Sequence, residues 1–276
     1  MSLENLDETF LLSLTFSKII SNVRTCIVSY TILKTSLTDI LPLRRLYLQE
    51  NNFQVRYNAC HERNWSDSFL IKHGNEAIGY GSVKGLDHLT DRDTVFEFYI
   101  TPPYTTKSSE IFALLLKASG ATFIECQSND HLLTSLLLEF TTNIRSDVVL
   151  FKDDHATQIS IPTIVFREKT ETDVIFEHTT EPAGEYVLEL NNEIIATGGF
   201  ALHYNLPFAD LYMEVHETHR RKGYGSYILQ EIKKECYRHG RVPAARCDIH
   251  NVASRSALIR AGLTMTGFML AGDVKN

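Results

Sequence analysis

The sequence predicts an α/β protein built as two related units in tandem, each a mixed, twisted sheet flanked by helices. Three observations predict it. The chain has 276 residues, room for about two domains. It repeats itself at an offset of 117: seven of 24 ungapped positions match between 75–98 and 192–215, among them Asn75/Asn192, Gly81/Gly198, Asp93/Asp210 and Glu97/Glu214. Both copies also carry the same order of patterns, with apolar runs broken by polar turns and then a helix-periodic stretch.

The elements follow in order. An apolar run at 68–71, or at 186–190 in the second copy, meets a polar turn at 73–76 or 191–193, which is a hairpin signal. A second strand follows, then a third at 94–100 or 209–215. Helices are predicted at 109–119 and 224–239, each followed by a strand carrying a cysteine, Cys126 or Cys247. In the second helix Ile228, Leu229, Ile232 and Cys236 recur at helical spacing and Gly240 supplies the stop. Residues 243–249 read as the next strand. Asn251 is a natural cap for a helix that ends at Gly262. Residues 1–25 read as a helical extension, a packing helix over 5–23 that could also make a homodimer contact. Residues 26–165 form the first unit and 166–276 the second.

Composition narrows the function. Hydrophobic residues are 43% and charged residues 22%, values of a folded protein, and Gly 14 and Pro 7 are too few for a low-complexity chain. Five scattered cysteines without CxxC spacing argue against a disulfide framework or zinc ribbon. A net charge of −7 disfavours nucleic acid as a partner. No run is long enough to span a membrane, and the acidic start is wrong for a signal peptide, so a cytoplasmic protein is expected.

The second copy gains four residues between its third strand and its helix. They fall in Glu217-Thr-His-Arg-Arg-Lys-Gly-Tyr-Gly225, where the first copy has Thr101-Pro-Pro-Tyr-Thr-Thr-Lys-Ser-Ser109. Gly223 and Gly225 let backbone amides approach a ligand, the helix start adds unpaired donors, and Arg220, Arg221 and Lys222 add positive charge. Together they suit a pyrophosphate. The Gly-Lys-Ser/Thr ending of a Walker loop is absent, and so is the third glycine of the dinucleotide fingerprint. His216-Glu-Thr-His219 is not HExxH, and no metal site is expected. No GxSxG nucleophile elbow occurs. Trp65 reads as core.

Arg220-x-x-Gly223-x-Gly225, after a strand and opening a helix, resembles the acyl-CoA pyrophosphate motif of the GNAT N-acyltransferase superfamily. Asn251 also lies 11 positions before Gly262, as in many GNAT proteins, with Leu263 in place of the usual Phe. Gly240-x-x-Pro243 hints at the branch that includes glycine N-acyltransferase-like proteins. The resemblance implies a tandem GNAT-like fold whose second unit uses acetyl-CoA or another acyl-CoA as co-substrate. The first unit would be a degenerate half that binds no CoA, its role structural or as a wall of the acceptor pocket. The acceptor would be a small-molecule amine or amino acid attacking the thioester directly. Main-chain groups of Met213 and Val215 would pair with the pantetheine arm. Ser226 and the backbone of 221–225, Tyr224 included, would hold the pyrophosphate, with Asn251 and Ser254 completing the cofactor set.

A general base is wanted. Glu214 on the motif strand is the first candidate, its pKa raised by burial, and His216 is the second. The tyrosine that often protonates the thiolate corresponds to Leu258, so another tyrosine, water or no acid serves. That loss, and a tail of 14 residues where the family expects two strands, leave a non-catalytic acyl-CoA-binding protein as the alternative.

Overall fold

A computed structural model describes residues 29–51, 53 and 57–275. The expected helix at 5–23 lies outside the described residues. In chain order the elements are β1 (Tyr30–Thr35), α1 (Leu37–Glu50), α2 (Tyr57–Glu62), β2 (Ser66–His73), β3 (Glu76–Lys84), β4 (Thr94–Ile100), α3 (Ser108–Ser119), β5 (Phe123–Gln127), α4 (His131–Phe140) and β6 (Thr141–Asp153). They continue as β7 (Ile164–Glu168), β8 (Tyr186–Leu190), β9 (Glu193–Ala201), β10 (Phe208–Val215), α5 (Tyr224–Arg238), β11 (Val242–Asp248), α6 (Val252–Arg260) and β12 (Leu263–Val274).

All twelve strands join one sheet, in the order β1-β2-β3-β4-β5-β12-β6-β11-β10-β9-β8-β7. The order is palindromic. Each half contributes five strands in sequence order, and the sixth comes from the other half. β12 pairs with β5, β6 pairs with β11, and the two exchanged strands pair antiparallel at the centre. The 14-residue tail therefore makes one strand, and the second strand expected beside it is β6 of the first half. The boundary expected at 165/166 falls inside β7.

Local signals account for the elements. Ser36 and Asp39 form a capping box on α1, and Asp130 caps α4 through the Leu133 amide at 2.9 Å. On α5, Ile228, Leu229, Ile232 and Cys236 are buried against one face of the sheet with α6. Each such aliphatic side chain contributes about 1.5–3 kcal/mol of burial. Helices α3 and α4 play the same role in the first half, where Phe112 and Leu115 of α3 and Leu133 and Leu137 of α4 are buried with Phe98 of β4, while α1 packs on the opposite face over Tyr80 and Tyr99. At the central seam Phe96 and Leu150 meet Cys60, with Met269 of β12 packed against them. Trp65, expected in the core, is half-buried with Arg63 5.0 Å over its ring. Among the described residues no helix is long and apolar enough to cross a membrane.

Candidate functional site

Strands β10 and β11 are parallel neighbours only from Phe208 to Asp210, against Val242 to Ala244. Beyond that rung β10 follows β9 as far as Val215, and β11 follows β6 as far as Asp248. Each strand keeps its outer partner, so the pair opens into a gap. Met213 and Val215 lie on the gap's edge, where the main chain has lost its strand neighbour on one side.

The basic loop closes the wide end of this gap. A 3-10 turn at Glu217–His219 ends the strand. Arg220 then donates Nε–H to the Val215 carbonyl at 3.0 Å, and Lys222 donates to the Thr218 carbonyl at 3.1 Å. Arg221 has φ +63°, a left-handed conformation that costs roughly 1–2 kcal/mol for a residue with a side chain. Gly223, at φ +88°, is the N-cap of α5 and makes no side-chain capping bond, so the first-turn amides of Tyr224, Gly225 and Ser226 are the orphan donors of a helix start. Gly225 presses the helix against the strand: a Cβ there would meet Met213 Cε at 3.1 Å. Arg260, at the far end of α6, brings a guanidinium within 3.8 Å of where a Gly223 Cβ would sit. Positive-φ backbone, uncapped amides, Arg221, Lys222 and Arg260 form a donor set that fits a pyrophosphate.

Not every expected residue joins this corner. Asn251 caps α6, accepting from the Ser254 amide at 2.9 Å, and both sit at the opposite end of that helix from Arg260. Leu258 is buried in the core. Cys247 on β11 has its thiol pushed up by burial, which suits packing and not nucleophilic attack. His216 ends β10 with Nδ1 2.7 Å from Thr218 Oγ1, and its ring meets Phe176 edge-on. It lines a cavity of about 560 Å³ with Arg167 and Asp173 on the β8–β9 side.

Glu214 departs most from expectation. It is 4% exposed. Oε1 accepts from Thr179 Oγ1 at 2.8 Å and its amide at 3.1 Å; Oε2 accepts from Thr180 Oγ1 at 2.9 Å and from the amides of Thr180 and Glu181 at 3.0 Å each. Arg220 lies 3.5 Å away. Burial alone would raise the pKa, but the amides of Thr180 and Glu181 and the Thr179 hydroxyl hold it down at about 2. The expected rise toward neutrality is overturned, because the segment 169–185 between β7 and β8 crosses the strand as a strap and surrounds the carboxylate with donors. A group this acidic is a poor proton acceptor near neutral pH.

The first half repeats the device. Glu97, at the same register position, is buried and bonded by Arg44 Nε at 2.9 Å, Arg44 Nη2 at 2.9 Å and the Tyr80 hydroxyl at 3.0 Å, with His61 Nε2 3.0 Å away. Burial opposes the charge, but Arg44 and His61 keep the Glu97 pKa at about 2. Arg44 and His61 lie between β1 and β2, as the strap lies between β7 and β8. In both halves the glutamate of the unit's fourth strand, β4 or β10, anchors the first connection of its unit. The first half has no glycine loop: Tyr104–Lys107 winds into a 3-10 turn whose Thr105 carbonyl takes the Ser108 amide.

A sheet that opens between parallel strands, with a glycine-started helix lacking a side-chain cap at its mouth, sits in the second half of a duplicated α/β scaffold. Two family models match the chain, an acetyltransferase (GNAT) domain over 36–154 and the acetyltransferase (GNAT) family over 153–262. The chain belongs to the GNAT superfamily, with two units in tandem. An acetyltransferase of the GNAT family from Colwellia psychrerythraea superposes with a TM-score of 0.69 at 16% identity, over 89% of this chain and 100% of that one. A GCN5-related N-acetyltransferase from Sphaerobacter thermophilus gives 0.53 at 12% identity, over 90% and 96%. A tandem GNAT protein from the clavulanic acid biosynthesis pathway gives 0.51 at 8% identity, over 90% and 99%. None of the curated proteins matches the chain.

Proposed function

We propose that the second unit binds acetyl-CoA or a related acyl-CoA in the gap between β10 and β11 and transfers the acyl group to an amine. One observation carries the reading: the strand that loses its neighbour after Asp210 leads directly into a positive-φ, uncapped, basic helix start. When bound, the thioester would supply an activated acyl carbon. The first-turn amides, Arg221, Lys222 and Arg260 would hold the pyrophosphate, and the free edge at Met213 and Val215 would align the pantetheine arm as an added strand. Attack by the amine lone pair forms the C–N bond as the C–S bond breaks, and one proton passes overall from nitrogen to sulfur.

In this reading Glu214 is a positioning residue that fixes the strap. His216 remains a base candidate. Glu181 joins it: burial and the nearby Asp210 push its carboxyl up, and its backbone position is fixed by the bond to Glu214. A Glu181→Gln variant should flatten the acidic limb of the pH–rate profile with little change in acetyl-CoA affinity; an unchanged limb removes Glu181.

The primary test is isothermal titration with acetyl-CoA. One saturable site per chain is expected, lost in the Gly223→Asp/Gly225→Asp variant; full affinity in that variant would sink the site. Burial of Leu258 where the family often has a phenol favours a second reading, binding without turnover. Release of CoA thiol in the presence of amines separates the two.

A further inference from the structure

A cavity of about 360 Å³ lies between the two units. The first unit walls it with Cys60, Arg63, Trp65 and the β3–β4 connection from Lys84 to Leu89; the second contributes His203 and Arg246. Arg246 is the residue that ties the cavity to the gap. It stands on β11 two positions past Ala244, the last residue in register with β10. Ala245 and Cys247 face the α5–α6 core, so strand alternation turns Arg246 to the opposite face, at the apex of the gap.

The charges facing the cavity are uneven. Lys84 donates to Glu125 at 3.0 Å and is neutralised there. His203 Nε2 lies 3.0 Å from Asp210 Oδ2, and Arg246 Nε stands farther off from the same oxygen, at 3.8 Å. Arg63 is exposed above the Trp65 ring. Two guanidiniums and an indole thus meet in one cavity, and Asp87, at the exposed rim, is the only carboxylate among its lining residues. Guanidinium pairs bidentately with carboxylate and would repel a second cation. The Trp65 face and Leu86 suit an apolar or aromatic body.

We propose that this cavity between the units is the acceptor site, and that the acceptor is an amine bearing a carboxylate next to an apolar or aromatic body. The carboxylate sits on Arg246 with help from Arg63, the body lies against Trp65, and the amine points toward the gap. The inference rests on the acyl-transfer reading and gives the first unit a role: it supplies the wall that selects the acceptor. It disfavours polyamines and other purely cationic amines.

The test uses matched amines that differ by one carboxylate, L-phenylalanine and 2-phenylethylamine, with the full chain. Binding is read by saturation-transfer NMR, and CoA release is read separately with acetyl-CoA. The carboxylated member should bind at least tenfold more tightly and be acetylated with a correspondingly higher kcat/KM. In Arg246→Gln the preference should fall to near parity while acetyl-CoA affinity, read by titration, is unchanged; Arg63→Gln should lower it in part. Equal or tighter binding of 2-phenylethylamine to the wild type overturns the proposal. So does a preference that survives both substitutions, or failure of L-phenylalanine to bind a protein that does bind acetyl-CoA. Loss of acetyl-CoA binding alone, with Arg246-dependent phenylalanine binding intact, overturns the acyl-transfer reading and leaves the carboxylate site standing.

Discussion

Glu97 and Glu214 hold the same place in the repeat and carry the same charge, yet their donors differ in kind. Glu97 is held by a guanidinium and an imidazole brought in by helices, Glu214 by three consecutive backbone amides of an irregular strap. The second arrangement depends on loop conformation. Replacing Glu214 by Gln removes the charge that those amides and hydroxyls select, and a shift from 4.5 to about 2 corresponds to about 3 kcal/mol. Glu214→Gln should therefore lower unfolding free energy by roughly 2–3 kcal/mol and expose 169–185 to limited proteolysis. An unchanged Tm and cleavage pattern would refute the clamp. Gly223 is a second residue-scale test. Gly223→Ala places a Cβ at φ +88° and should cost about 1 kcal/mol in stability, while its larger effect falls on acetyl-CoA affinity.

At the scale of elements, the exchanged strands are the test. β12 pairs with β5 and β6, so cutting the chain after Gly262 removes a strand from both units. The truncated protein should fail to give a cooperative unfolding transition by circular dichroism. Separate fragments ending at 154 and starting at 155 should be insoluble singly and recover folded protein when co-expressed. Strands, helices and caps read from local pattern stand close to where the structure has them: β4 and α5 begin within a residue or two of expectation, and Asn251 does cap α6. The exchange was illegible because pattern reports which face of a strand is buried and not which strand lies beside it. The strap was illegible for a related reason, since 169–185 has no period and its partner Glu214 lies over thirty residues on. Arg260 was illegible because only folding of α6 against α5 brings it beside Gly223.

For the whole molecule, acid is the informative variable. Glu97 and Glu214 both have folded pKa values depressed from 4.5 to about 2. Depressed carboxylates contribute their full stability above the unfolded pKa and lose it as pH falls toward the folded one. Stability to urea should therefore decline as pH drops from about 4.5 toward 2, by several kcal/mol in total. The double variant Glu97→Gln/Glu214→Gln should flatten that decline while being less stable at neutral pH. A wild-type curve with no acid slope would show that these charges are not held as described.

The crossed strands also order events during synthesis. Phe268 donates to Ser128, 140 residues earlier in the chain, so the first unit's sheet has no finished edge when its own residues leave the ribosome. The nascent half carries an open β5 edge until β12 has been made, and an open edge is a template for pairing with another chain. Duplication has thus given the first half a partner built into the same polypeptide, at the cost of a wait, and chaperone dependence during translation is the natural price of that wait.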